Sequence, residues 1–268
     1  MEPYRKGTLA PPRLAPEDYK TEHDLVELFA LAHEQGIVTT KEAGARWIPR
    51  LHLSTLVEAG YLERVGRGVY RFALWPWSTA ERLDAAVALR PGGVFGLLTA
   101  AYLHGLLAHE PPAVWLCLEA GRRVPWVEGF ALEVVHARGG VPEGDVEVVE
   151  APEAPQARTG LEAKKAHEAW KAHAAHEGPT APIGRSGPAR PPRTTRRGPR
   201  AARAYRVTSR ARTVVDLFRF RRRVPEELAV EAIRAYLEQG HDRAALERTA
   251  SQHRARTLLS PHLRRYTT

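Results

Sequence analysis

Apolar positions recur three and four residues apart between 21 and 35, where Leu25, Leu28, Phe29 and Ala32 fall on one stripe. That spacing marks a helix with one face packed on a core. Gly36 is the expected stop, and Ile37-Val38 leaves room for a short strand. A short helix over 41–46 follows, capped by Thr39 or Thr40, and Trp47-Ile48 makes a turn. Pro49 then opens a third helix over 49–58, at a position where its missing N–H costs nothing. The inward set of this helix is Leu53, Leu56 and Val57, and the outward set is Arg50, His52, Ser54 and Thr55. The pattern changes again at Tyr61. Two strand-like runs, 61–65 and 69–72, flank Gly66-Arg67-Gly68, which reads as a hairpin with a glycine-rich tip. This order of elements predicts a winged helix-turn-helix over 21–75.

A connector, Ala73-Leu-Trp-Pro-Trp77, leads to a second region beginning near Ser78. Helical spacing is present over 79–89 and 97–107, and strand-like runs follow at 113–118, 131–136 and 146–149. Beyond a change of composition, the pattern resumes with the strand-like Tyr205-Arg-Val-Thr208 and a helix from about Ala211. A further helix has Pro225 at its first position and Gly240 at its C-cap, and the last starts after Asp242 and fades toward Pro261. The fold class expected is therefore α+β: an N-terminal winged helix-turn-helix and a mixed α/β C-terminal domain over 78–150 and 204–268. The first 20 residues, with Pro3, Pro11, Pro12 and Pro16, read as a mobile arm.

Charge changes the picture in one place. The net charge of +9 comes from 40 Lys and Arg against 31 Asp and Glu. Between Arg158 and Arg206 there are 12 basic residues and only 3 acidic ones, so that stretch carries the whole excess and the rest is neutral. Between Gly178 and Pro199, 10 of 22 residues are Gly or Pro, too many to offset the entropy of ordering. Residues 151–203 are thus expected to be a disordered basic insertion in the second domain. The basic balance of the chain is a property of that segment and does not by itself assign nucleic-acid binding to the folded parts.

The lone cysteine, Cys117, excludes an intrachain disulfide and a multi-cysteine zinc site, and fits a cytoplasmic setting. The longest apolar stretch, from Val94 to Ala108, falls short of the roughly 20 residues a membrane span needs. His167, His173 and His176 lie in an Ala/Lys-rich run that reads as a solvated tract, and His104 on an apolar helix reads as a packing residue. No catalytic set and no metal or cofactor site emerges, so no enzymatic activity is expected. The spacing Arg212, Asp216, Arg219 makes a helical ion-pair ladder of structural character.

The candidate chemistry is in the first region. A helix entering the major groove reads base edges from its N-terminal half. Arg50 can bond guanine there, His52, Ser54 and Thr55 can reach edges or phosphates, and Arg64 and Arg67 on the hairpin suit phosphate or minor-groove contact. Double-stranded DNA is the expected partner. Two other classes compete: a winged-helix adaptor that binds only protein, and a nuclease fused to a winged helix, against which the lack of paired carboxylates with a lysine argues.

Three motifs carry a family resemblance. Gly36-Ile-Val-Thr-Thr with Leu53-Ser-Thr-Leu-Val-Glu-Ala-Gly-Tyr-Leu-Glu-Arg-Val-Gly-Arg-Gly-Val-Tyr70 resembles the N-terminal domain of AbiEi-family antitoxins of type IV toxin–antitoxin systems. Leu97-Leu-Thr-Ala-Ala-Tyr-Leu-His-Gly-Leu106 and Val207-Thr-Ser-Arg-Ala-Arg-Thr-Val-Val-Asp-Leu-Phe-Arg219 resemble the two motifs of that family's C-terminal domain. The resemblance implies a transcriptional autorepressor that binds its own promoter, while its C-terminal domain supplies the antitoxin activity; a homodimer on DNA is what winged-helix regulators in general use to gain affinity from two half-sites one helical turn apart. The functional partner it implies is a nucleotidyltransferase toxin, with no direct contact required. The basic insertion is a departure from the family's pattern.

Overall fold

The computed structural model describes residues 35–58, 60–73, 76–150 and 204–265, together with Asp24, Glu27, Leu28, Leu31 and Ala32 of an opening helix. The expected arm at 1–20 and the expected insertion at 151–203 lie outside the described residues.

Gly36 ends the opening helix in the left-handed conformation (φ 74°), its amide donating to the Ala32 carbonyl. Strand β1 (Ile37–Thr39) runs into helix α1 (Thr40–Ala45), where Thr39 and Glu42 form a reciprocal capping box. Helix α2 (Arg50–Glu58) follows the turn, and β2 (Leu62–Gly66) and β3 (Val69–Phe72) form the hairpin. The three strands pair antiparallel in the order β1-β3-β2. Leu28, Leu31, Val38, Ile48, Leu53, Leu56, Leu62 and Phe72 close one core between this small sheet and the helices. The layout is compatible with a winged helix.

The second region is mixed α/β. Helix α3 (Thr79–Leu89) starts at a second capping box, Ser78 with Glu81. It is followed by β4 (Val94–Phe95), α4 (Leu97–Leu103), β5 (Ala113–Glu119), β6 (Ala131–Ala137), β7 (Val146–Glu150) and β8 (Ala204–Thr208). The sheet order is β6-β5-β4-β8-β7, with β5–β6 and β4–β8 parallel and the other pairs antiparallel. Residues 151–203 separate Glu150 from Ala204 in the chain, yet these two are register partners on neighbouring strands.

Both faces of the sheet are covered. Trp115, Cys117 and Val135 point to one face, and Val114, Leu116 and Leu118 to the other, as strand alternation requires. The first face packs on α4 and on α5 (Arg210–Arg219), α6 (Glu226–Glu238), α7 (Arg243–Gln252) and α8 (Arg256–Arg264). The second packs with Leu83 and Ala86 of α3. A central strand buried on both sides reads as a continuous apolar run, which is the pattern of Val114–Leu118.

The described elements depart from the sequence expectations at several ends. The helix expected over 97–107 stops at Leu103, because Gly105 takes φ 69°. Its amide bonds to Tyr102 and that of Leu106 to Ala101, a Schellman closure that returns the buried Leu106 to the core. Pro225 sits at the N-cap rather than the first helical position, and Gly240 lies one residue past the C-cap Gln239. The last expected helix is two, since Arg254 at φ 55° breaks the chain between α7 and α8, and Pro261 lies inside α8. Strand β4 had no sequence signal: two residues cannot display a period.

The two regions share a seam. Ile37, Val65 and Val69 pack with Ala85 and Leu89 of α3, and with Trp77, Val127 and Phe130. The Val65 carbonyl accepts from the Glu128 amide at 2.9 Å. Arg71, only 2% exposed, holds Glu63 at 2.5 Å and lies 4.2 Å above the Trp77 ring, which meets Phe130 edge-on. The hairpin is therefore fastened to the second region along β2, and Arg67 at its tip remains exposed.

Candidate nucleic-acid interface

The six residues singled out from the sequence divide. Arg50 and Ser54 of α2 are exposed, and Thr55 is half-buried with its hydroxyl donating back to the Leu51 carbonyl at 3.1 Å. Arg67 is exposed at the hairpin tip, and Arg64 is exposed on β2 with Nε 3.3 Å from the Gly66 carbonyl. Among the described residues, none of these three arginines meets a carboxylate within ion-pair distance.

His52 does not belong to the outward set. It is 9% exposed, and its Nδ1 lies 3.2 Å from Asp24 of the opening helix. The reason is angular. Successive helical residues turn by about 100°, so His52 lies about 100° from Leu53 on the side of Leu56, whereas Leu51 lies about 160° away. Leu51 is accordingly 71% exposed. Sorting by residue type placed the polar histidine outside and passed over the leucine. Counting angles from Leu53 and Leu56 would have found both.

A hydrogen bond joins the start of α1 to the hairpin tip. The Thr40 amide, at the start of α1, donates to the Gly68 carbonyl at 2.9 Å, so the hairpin tip adjoins the first helix of the pair. Gly68 stands at φ 70°, and a side chain there would meet the Thr40 hydroxyl. Glu63 does not offset the arginines, because it is engaged by the buried Arg71.

The two motifs of the second region meet in space. His104, at the end of α4, donates from Nε2 to the Thr208 carbonyl at 2.7 Å, and the Thr213 hydroxyl donates to that carbonyl at 2.9 Å. Burial lowers the His104 pKa, against the opposing pull of the Thr208 bond and Glu147. On α5, Arg212 holds Asp216 and Asp145, each at 2.7 Å. His253 of α7 reaches the same Asp145 oxygen at 3.0 Å, and Arg219 reaches Asp216 at 2.7 Å. Burial works against the Arg212 charge, but the two carboxylates outweigh it and hold its pKa above the ordinary value. This is a buried lattice tying β7, α5 and α7 together. An open polar depression beside it is lined by Glu147, Arg210, Tyr236, His241 and Arg248. Its charges are matched internally, Arg210 with Glu147 and Arg248 with Asp242. Burial pushes the Cys117 thiol up to about 12, which keeps it protonated.

These features define a mixed α/β protein whose first region has a layout compatible with a winged helix and exposes three arginines that have no carboxylate partner among the described residues. Residues 26–73 match the model of a family described as "Transcriptional regulator, AbiEi antitoxin", so the resemblance read from the sequence is shown for this region. The matched stretch includes α1, α2 and the hairpin. The two second-region motifs lie beyond it. No curated protein matches the chain. Among the described residues no helix is long and apolar enough to cross a membrane, and no group of three or more His, Cys, Asp or Glu could hold a metal ion.

Proposed function

We propose that this chain is a DNA-binding transcriptional regulator acting as the antitoxin of a type IV toxin–antitoxin system. The observation that carries the reading is the set of exposed arginines at the α2 start and on the hairpin, without a carboxylate partner among the described residues, inside the stretch that matches antitoxin regulators. In this reading Arg50 and Ser54 face base edges in the major groove, and Arg64 and Arg67 hold phosphate. His52 has the structural task of anchoring α2 to the opening helix through Asp24. The second region, whose motifs converge on Thr208 and the Arg212 lattice, supplies the neutralising activity. The protein acts in the cytoplasm on its own promoter, as a homodimer on DNA, and is paired functionally with a nucleotidyltransferase.

The test is a gel-shift titration of the full chain on duplex DNA from upstream of its own gene, repeated over a range of salt. Retardation that weakens steeply with salt is expected, since each phosphate contact contributes about one unit to the logarithmic slope. Absence of any retarded band at low salt would overturn the regulator reading. The antitoxin half is tested by co-expressing the full chain with a nucleotidyltransferase encoded beside its gene: rescue of growth is expected, and failure of rescue removes the antitoxin role.

A further inference from the structure

The turn between α1 and α2 holds Trp47 in the left-handed conformation at φ 62°, with the side chain 88% exposed. A bulky residue in that region is strained, since its Cβ crowds the following carbonyl. The strain is imposed from both sides. The Trp47 amide donates to the Gly44 carbonyl, and that of the buried Ile48 donates to Ala43, each at 3.0 Å. Glycine or asparagine would take this backbone at less cost, so the indole is not there to shape the turn. Four residues on, Leu51 is 71% exposed on the first turn of α2.

Two large apolar side chains therefore stand in solvent at the beginning of the helix, with the exposed Arg50 between them in the chain. Isolated apolar residues on a surface are ordinary, but a pair at one helix start with the exposed Arg50 between them, which has no carboxylate partner among the described residues, makes a specific chemical demand. The partner has to offer an apolar group within an anionic frame. The major groove does so at one base: thymine, whose C5-methyl projects between the phosphate ridges.

We propose that Trp47 and Leu51 read thymine methyl groups, and so add an apolar half to the base recognition assigned to Arg50 and Ser54. The inference rests on the DNA-binding reading above. It makes the specificity of α2 depend on residues that the polar pattern of the helix hides, with Leu51 at the centre of the outward face and His52 excluded from it.

The experiment compares the full chain with Leu51→Ala and Trp47→Gly on DNA from upstream of its own gene. The DNA is amplified either with thymidine triphosphate or with its deoxyuridine counterpart, which removes every C5-methyl. For the unmodified chain, affinity should fall about fourfold for each methyl covered, the equivalent of roughly 0.8 kcal/mol per buried methyl-sized group. Each variant should lose a similar factor on thymine DNA and be correspondingly indifferent to uracil. Both variants should keep or raise Tm, because one relieves a strained backbone and the other places alanine in an exposed helix. Failure of the unmodified chain to bind either DNA would overturn the DNA-binding reading itself. Equal binding of both DNAs, with variants matching the unmodified chain, would leave that reading in place and overturn thymine recognition. Sedimentation showing that either substitution dissociates a dimer would assign the patch to a second copy and overturn the proposal as well.

Discussion

Arginine serves two opposite purposes in this molecule. In the first region Arg50, Arg64 and Arg67 stand exposed, without a carboxylate partner among the described residues. In the second region five arginines around the sheet and α5 are bound internally: Arg206 to Glu143, Arg210 to Glu147, Arg212 to Asp145 and Asp216, Arg219 to Asp216, Arg223 to Glu133. An unpaired surface cation is weakly held by its own protein and available to an anion. A buried, doubly paired one has lost its hydration and must keep its partners. The same residue type is thus left open to solvent in one region and made a structural tie in the other, and sequence counts of arginine cannot tell them apart. Arg71 marks the transition: it lies in the hairpin's second strand, β3, yet it is buried and joins the two regions across Glu63 and Trp77.

The contrast can be broken most sharply in the buried lattice. Asp216→Ala would strip Arg212 and Arg219 of a shared carboxylate, and a loss of about 3–5 kcal/mol in unfolding free energy is expected, as for a broken buried pair. Urea denaturation measures it, and a loss below about 1 kcal/mol would mean that the lattice is wet and the contrast false.

The interface arginines should behave in reverse, with stability unchanged and binding altered. Arg50→Ala should cost about 1–3 kcal/mol on the preferred DNA and relax its sequence preference. Arg67→Ala should weaken all sequences alike and reduce the salt slope by about one unit. Gel-shift titrations at several salt concentrations, beside urea melts of the same proteins, separate the two kinds of effect. A stability loss in Arg67→Ala, with no change in the slope, would place that residue among the structural ties.

The smallest effect expected is from His104. Burial lowers its pKa below the ordinary imidazole value of about 6.5, so on acidification the unfolded chain takes up a proton that the folded chain refuses. Stability should therefore be constant above that pH and fall as pH drops below it, with a slope no steeper than about 1.4 kcal/mol per pH unit for one proton. The fall ends once the folded-state pKa is passed. Glu147 lies 4.0 Å from Nδ1 and softens the penalty, while Arg210 and His241 add to it. His104→Gln keeps a donor for Thr208 and should flatten the profile relative to the unmodified chain. Parallel profiles would show that the acid sensitivity resides elsewhere.

What was legible in the sequence was local. The Thr39 cap, the helix start after Asp242 and the Gly36 stop depend on hydrogen bonds spanning a few residues, so the residue type and its spacing contain the whole cause. The hairpin tip at Gly66-Arg67-Gly68 and the strand runs at 113–118, 131–136 and 146–149 were readable for the same reason. Gly105 carried a signal of the same local kind, a left-handed glycine that ends a helix where the next residue turns back to the core, but the helix expected over 97–107 ran through it.

Tertiary structure decided the rest. Strand β4 exists because β5 and β8 offer partners on either side of two residues. The burial of His52 follows from the opening helix, which supplies Asp24 and takes the face that polarity alone had assigned to solvent. The Arg212–Asp216 pair, a helical ladder by its spacing, became part of a buried lattice once Asp145 and His253 reached Arg212 from distant parts of the chain. In each case the free energy of a side chain depends on which neighbours exclude water from it, and those neighbours are far away in sequence. Spacing gives the elements and their ends, while the choice between an exposed contact and a buried tie is made only when the elements pack.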